Sequence, residues 1–504
     1  MVANNLFLDR FNGPVWALEL CMNRLVKMGL AGLFAFGLAQ AKVNFPFPQM
    51  SDYGGNATLL SDKAKASEEL KSQFAYWLKT MYNENGDVAG VRSDPGSDTY
   101  FSEGVGYGML LMVYFSDNTT SYQPQFDKIW NFYKKMMNEN GLMIWKVGNL
   151  SQSWDAGNGA ALDGDIDAAA ALAMAYFQFG DEKYKEDAKK LIQSMKKSEF
   201  ESNGLHLPGD KWGDAALNRK NPGYFDPAYM PVFALIDTDN AEFWNKTAYD
   251  ANMKLYEASS AEVTTGLIDD WTDKNGKSED DYYSYDASRA PWRNAKAVCW
   301  HGDTRALALD KKMAEFVSTV SAANMKGPVL RSSGSLGNDH NSTFVTSLMT
   351  SLISDAKYQA KLDEYWKEAV ALGDENYFNQ SLKLLNGLLV SGNMPNLAAA
   401  TPSQPTSSSS ANPESSSSSN EGTIALPTLA ANAAMMTLAG RTLQLNVNGE
   451  VRVDLISMTG SVLKSFGKNA TGSVSVSLND VPSGLYVVRV KNAGVTSLKK
   501  IKLD

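Results

Sequence analysis

The chain has 504 residues and a formal net charge of −9, and it carries no sustained basic stripe, which argues against nucleic acid or an anionic membrane surface as a partner. That length suits one large catalytic domain plus accessories. With only His206, His301 and His340 as histidines and Cys21 and Cys299 as cysteines, zinc-ligand spacing is missing, and neither a metal nor another cofactor is expected.

Arg24 and Lys27, an apolar run from Met28 to Leu38, and Ala39-Gln40-Ala41 ahead of Lys42 predict that 1–41 is an N-terminal extension followed by a secretory signal peptide, with translation starting at Met22 and the residues before it a mis-assigned extension. The apolar run is too short to span a membrane, so no membrane insertion of the mature chain is expected. Cleavage after Ala41 would remove Cys21 and leave Cys299 alone, which rules out an internal disulfide in the exported form.

From Ser61 to Leu389 apolar residues recur at three- and four-residue spacing, often behind an Asp, Ser or Asn cap. The pattern predicts twelve helices: Asp62–Tyr82, Glu103–Phe115, Gln123–Met137, Asp163–Phe179, Glu182–Met195, a shorter Pro227–Leu235, Ala241–Tyr256, Asp286–Trp300, Thr304–Val320, Asn341–Ile353, Ala356–Ala371 and Asn376–Leu389. Twelve helices make six hairpins. Ser198–Asp226 and Glu257–Tyr285 are long, polar and aromatic, as befits loops that build a cleft.

Between Ala399 and Gly422 the composition shifts to Ser, Pro and Asn, the signature of a flexible linker. Beyond it, Arg441–Val447, Glu450–Ser457, Ser473–Leu478 and Gly484–Lys491 alternate apolar and polar residues, with turn signals at Asn448-Gly449 and Pro482-Ser483-Gly484. The expected division is a leader 1–41, an all-α domain 42–396, a linker 397–422 and a small all-β sandwich 423–504. The stretch from Gly484-Leu485-Tyr486-Val487-Val488-Arg489-Val490 to Lys499-Lys500-Ile501-Lys502-Leu503 resembles the C-terminal sorting domain of the type IX secretion system. The resemblance implies that secretion machinery as a partner and a secreted or cell-surface location. The alternative is a spacer or carbohydrate-binding sandwich.

Three acidic segments carry candidate chemistry. Hydrolysing a glycosidic bond takes one protonated carboxyl to donate to the leaving oxygen and one ionised carboxylate to activate water or attack carbon. Glu103 lies at a helix start beside Gly104, Gly106, Tyr107 and Gly108; small neighbours admit a ligand, and partial desolvation would raise its pKa, although a helix N-terminus pulls the other way. The three glycines make no dinucleotide fingerprint, since no strand of a βαβ unit precedes them. Asp163, Asp165 and Asp167 precede an alanine-rich helix; read as an EF-hand they fail, because Ala168 and Met174 occupy the places of the required Gly and Glu. Asp286 stands among Tyr285, Arg289, Trp292 and Arg293, neighbours that favour an ionised base but that also suit an ordinary helix-capping Asp–Arg pair.

Together, Ser102-Glu103-Gly104-Val105-Gly106-Tyr107-Gly108-Met109, Gly141-Leu142-Met143-Ile144-Trp145-Lys146, Ala161-Leu162-Asp163-Gly164-Asp165-Ile166-Asp167-Ala168, Asn221-Pro222-Gly223-Tyr224-Phe225 and Tyr285-Asp286-Ala287-Ser288-Arg289 resemble glycoside hydrolase family 8 over about Tyr53 to Gly392. The resemblance implies an (α/α)6 barrel and an inverting mechanism, with Glu103 as general acid, Asp286 as general base, and Asp163 as the carboxylate that binds and distorts the sugar at the cleavage point. It also implies substrate contacts from Trp145, Trp212, Tyr224, Tyr285 and Arg289, and Tyr377 is a further candidate cleft aromatic. Leu162 and Gly223 depart from the family pattern, which usually has a small hydroxyl residue and Ser there. The reading that follows is an exported, monomeric endo-β-1,4-glucanase acting on a β-1,4-linked polysaccharide. Endo-β-1,4-xylanase is the alternative within the family; a chitosanase is less favoured, and a non-catalytic glycan-binding barrel would be expected to lack one of the two acids.

Overall fold

The computed structural model describes residues 43–151, 159–373, 376–400, 436–457, 462–492 and 495–503. The expected leader, the linker beyond residue 400 and the first part of the expected β-domain lie outside the described residues. The chain divides into two compact units, Met1–Thr406 and Ser407–Asp504.

Among the described residues, twelve helices of seven or more residues order the first unit: α1 (Lys63–Thr80), α2 (Ser102–Phe115), α3 (Gln123–Lys135), α4 (Leu162–Phe179), α5 (Glu182–Ser198), α6 (Met230–Ile236), α7 (Tyr249–Ala261), α8 (Arg289–His301), α9 (Thr304–Ser318), α10 (Ser342–Ser351), α11 (Gln359–Ala371) and α12 (Tyr377–Val390). Their starts follow local chemistry. The side chains of Asp62, Asp181, Asp303, Asn341 and Asn376 accept hydrogen bonds from backbone N–H groups of the first turns of α1, α5, α9, α10 and α12. Left-handed Gly180 and Gly302 terminate α4 and α8.

Burial then sorts the helices into two rings. In α10 every residue is buried, and in α2 only Glu103 is not; a helix apolar all round must be covered all round. The intervening helices bury one stripe each, as α5 does with Tyr184, Ala188, Leu191, Ile192 and Met195. Even-numbered helices therefore form an inner ring and odd-numbered helices an outer one. Inner α2 packs on α4, α4 on α6, α8 on α10, α10 on α12, and α12 back on α2, which closes an (α/α)6 barrel.

Two helices of this unit open differently from the sequence expectation. The helix expected over Ala241–Tyr256 opens with a π-helical turn, Phe243–Ala248, that seats Trp244 edge-on against Phe200 and Phe233. Helix α8 begins at Arg289 rather than Asp286, because Ser288 N–H bonds back to the Ser284 carbonyl and closes a turn over 284–288. Asp286 consequently stands on that turn, outside the helix.

The second unit is all-β: β1 (Met436–Ala439), β2 (Thr442–Ser457), β3 (Val462–Ser477), β4 (Gly484–Asn492) and β5 (Val495–Leu503). Antiparallel β3 runs along one edge of β2, β1 and β4 share the other edge, and β5 pairs with β4. Asn448-Gly449 does not turn the chain. Asn448 pairs with Thr471 and Gly449 with Ala470, because both flanks of the dipeptide face the same continuous partner strand. Leu443, Leu445, Val451, Val453, Leu455, Val488 and Val490 alternate into one core.

Among the described residues no helix is long and apolar enough to cross a membrane. The inner ring is tightest where α2 meets α4. A Cβ on Gly164 would lie 2.6 Å from the Ser102 carbonyl carbon, and one on Gly106 would lie 2.9 Å from the Gly164 carbonyl oxygen. Gly164→Ala should therefore destabilise the folded chain by about 1–3 kcal/mol, the usual cost of overpacking. An unchanged midpoint in thermal denaturation followed by circular dichroism would contradict this close contact.

Candidate active site

Residues at the starts of four inner helices meet at one cleft. Glu103 and Asp163 are the second residues of α2 and α4, while Arg289 and Tyr377 are the first residues of α8 and α12. With Trp145, Trp212, Tyr224, Tyr285, Asp286 and Phe378 they line a cavity of about 520 Å³. The approach of α12 to α2 depends on Gly104, where a Cβ would lie 2.9 Å from the Tyr377 ring.

Arg289 organises the charges. Its guanidinium is buried and donates from Nη1 to Asp163 Oδ2 and from Nη2 to Asp286 Oδ1, the latter at 2.8 Å. Asp163 also accepts from the Gly164 N–H at 2.9 Å. Burial pushes the Asp163 carboxyl up, and Arg289 and then Arg293 oppose that shift. Asp286 is the more open of the two partners, with 35% of its side chain exposed against 1% for Asp163.

Glu103 is governed by burial. Part of its carboxyl reaches the cleft, yet protein encloses it closely enough that burial, aided by the Asp163 charge, raises it to about 7; Arg289 and the Tyr377 hydroxyl pull the other way. A helix N-terminus favours an anion by only about 0.3–2 kcal/mol, too little to reverse a shift of that size. The Tyr377 hydroxyl donates to Glu103 Oε1 at 2.5 Å. The second oxygen, Oε2, is therefore available to carry a proton.

All nine candidate site residues line this one cavity. Trp145, Trp212 and Tyr285 are 38–40% exposed, whereas Tyr224 is nearly covered, with the Arg289 guanidinium 4.7 Å from its ring centre. Trp145 stacks on Phe101, which stacks in turn on Tyr377. The other two acids of the α4 motif face elsewhere: Asp165 accepts from the Tyr133 hydroxyl, and Asp167 pairs with Arg293. Leu162 is buried and does not line the cavity. Gly223 is forced by contact, since a Cβ there would lie 2.3 Å from the Asp286 carbonyl oxygen. Arg293 Nε donates to the Gly223 carbonyl and ties that turn to α8.

The sequence reading missed Trp271, Asp270 and Phe378. Trp271 Nε1 donates to Asp286 Oδ2 at 3.0 Å. Asp270 Oδ1 accepts the backbone N–H groups of Ser284 and Ala287, each at 2.7 Å, and so holds the turn that presents Asp286. The aromatic, acidic character of Glu257–Tyr285 was the available signal, but nothing local singled out these two positions. Among the described residues no cluster of His, Cys, Asp and Glu is arranged to hold a metal ion.

Comparison with known proteins gives this geometry a context. The profile of the glycosyl hydrolases family 8 matches residues 47–392, and that of a secretion system C-terminal sorting domain matches 439–503. Endoglucanase A of Acetivibrio thermocellus is 31% identical over 387 residues, covering 73% of this chain and 78% of that relative. A reducing end xylose-releasing exo-oligoxylanase of Halalkalibacterium halodurans is 26% identical over 344 residues, covering 62% and 84%. The apo structure of a β-1,3-1,4-glucanase from Paenibacillus sp. X4 superposes with a TM-score of 0.64 at 23% identity, covering 70% of this chain and 99% of that one, a likeness of fold.

The enclosure of the Glu103 carboxyl by protein makes stability depend on pH. Its carboxyl is raised from an ordinary 4.5 to about 7, so its contribution to stability is complete below the lower value and is lost as pH rises through the upper one. Glu103→Gln has no such loss. Its stability relative to the wild type should rise by about 1–3 kcal/mol between pH 4.5 and pH 8, read from denaturant unfolding at the two pH values. A difference independent of pH would contradict a neutral Glu103.

Proposed function

Since the chain belongs to glycosyl hydrolases family 8, we propose that it is an inverting endo-β-1,4-glucanase of cellulose-type or mixed-linkage glucans. The observation that carries this reading is the pairing, in one cleft, of a carboxyl held near neutral pH with a more open carboxylate fixed by two donors. The sorting domain at the C-terminus indicates export, to the cell surface or the medium.

In the proposed reaction Glu103 gives its proton to the departing glycosidic oxygen as the bond to the anomeric carbon breaks. Water attacks the opposite face of that carbon and passes a proton to Asp286. The turnover leaves Glu103 ionised and Asp286 protonated, and exchange with solvent restores both. The Tyr377 hydroxyl, bonded to Oε1, orients the acid and supports the charge it acquires. Asp163, bonded to Arg289, is placed to bind the sugar at the cleavage point and to favour the positive charge that develops there.

The exposed rings of Trp145, Trp212 and Tyr285 offer platforms for the apolar faces of successive sugars, which suits attack within a chain. Similarity to an endoglucanase supports a glucan substrate. Similarity to an exo-oligoxylanase makes xylan the second reading, since a pocket that admits or excludes one hydroxymethyl group discriminates only modestly.

Purified enzyme should release new reducing ends from carboxymethylcellulose and lichenan faster than from xylan or chitosan, and NMR of the first products should show the α anomer. Glu103→Gln and Asp286→Asn should each lower kcat by at least about 10³-fold while oligosaccharide binding persists. Release of the β anomer would exclude inversion, and near-normal turnover by either variant would remove that residue from its role.

A further inference from the structure

Trp271 belongs to neither acid and touches no other candidate catalytic group, yet it bonds the proposed base directly. Its Nε1 donates to Asp286 Oδ2 while Arg289 Nη2 donates to Oδ1, so each carboxylate oxygen has one fixed donor from a different element. A carboxylate held at one oxygen can still swing about its Cβ–Cγ bond; held at both it cannot, and each remaining lone pair has a fixed direction.

Trp271 is held through both its backbone and its ring. Its backbone N–H donates to Asp269 Oδ1, its carbonyl accepts from the Glu279 N–H, and the next residue, Thr272, pairs with Lys220 across a two-residue strand pair. Arg219 lies 4.1 Å from the ring centre and is itself paired with Glu279. The ring stacks on Trp212 at 6.2 Å and meets Tyr224 edge-on at 6.1 Å. Side chains held this way lose little further freedom when a reaction demands one geometry.

We infer that Trp271 is a positioning residue for hydrolysis, which locks the Asp286 carboxylate in the orientation that takes the proton from water. The inference rests on the reading of Asp286 as base. The charged and titratable groups facing Asp286 from the surrounding elements are Arg289, Asp163, Glu103, Asp270 and Tyr224; of these only Tyr224 touches the Trp271 ring, through an edge-on contact that another aromatic ring at 271 can keep. A donor on a carboxylate favours its ionised form.

Trp271→Phe keeps an aromatic ring for Trp212 and Arg219 to pack against and removes the N–H donor together with the second ring of the indole. On soluble mixed-linkage glucan, kcat should fall about tenfold with KM changed less than about twofold, and the acid limb of kcat/KM should move to higher pH. Trp271→Tyr, with a ring and a hydroxyl, is the companion should the phenylalanine variant fold poorly, and it should show the same loss of kcat with a smaller movement of the acid limb. Wild-type kcat and acid limb in a folded variant would overturn the inference, as would a loss of kcat that tracks thermal stability with the limb unmoved. Asp286→Asn separates the two readings. If that variant is inactive and Trp271→Phe behaves as wild type, only the role of Trp271 falls; if Asp286→Asn is active, the base assignment falls with it.

Discussion

The active cleft depends on one buried guanidinium. Arg289 is withdrawn from water, a cost of several kcal/mol that is offset only because Asp163 and Asp286 both present oxygens to it. Without that cation, three carboxyl groups would share one cavity with only Arg293, already paired with Asp167 and Asp226, to offset their charge, and the least costly outcome would be to protonate more than one. With it, Asp163 has a partner in the interior, Asp286 has a donor at the rim, and Glu103 remains the group for which protonation is least costly. A division of labour between a proton donor and a proton acceptor then follows from position alone.

The barrel makes that arrangement possible. Inner helices α2, α4, α8 and α12 each bring a first-turn residue to the same cavity, and their close approach is bought with small residues, Gly104 against Tyr377 and Gly106 against Gly164. Below the cleft a second ionic layer, Arg293 with Asp167 and Asp226 and Lys296 with Asp226, ties α4 and α8 to the turn that carries Tyr224. Lys296 lies between the rings of Tyr229 and Trp292, 3.7 Å from each centre, and burial draws it down to about 8. Glu103, Asp163 and Arg289 therefore stand on helices and Asp286 on the turn that leads into α8, while the aromatic surfaces that meet the sugar come largely from the loops between them.

Much of this was legible before any coordinates. The twelve helices were apparent from their periodicity and caps, and their alternation into two rings is implicit in which of them are apolar all round. The two candidate acids and Asp163 stand in short motifs whose composition left structural roles open and whose resemblance to a family singled them out. Less local features were not visible. Asn448-Gly449 has the composition of a turn but lies in a strand, because pairing with β3 on both sides outweighs the preference of two residues. The start of α8 was placed three residues early because the turn over 284–288 is set by bonds to Asp270, in a loop with no periodic pattern.

By itself, then, the sequence determined the helical elements and the β-domain, since periodicity and capping are properties of neighbouring residues, and its motifs, through their resemblance to a family, marked the candidate acid and base. Only the tertiary structure decided how those groups are coupled. Arg289 meets Asp163 across 126 positions and Tyr377 meets Glu103 across 274; neither pairing leaves a trace in local spacing, because it arises when helix ends converge on closing the ring. The same closure encloses Glu103 and fixes Trp271 on Asp286. Burial and direction, which turn a carboxyl into an acid or a base, are properties of the assembled cleft.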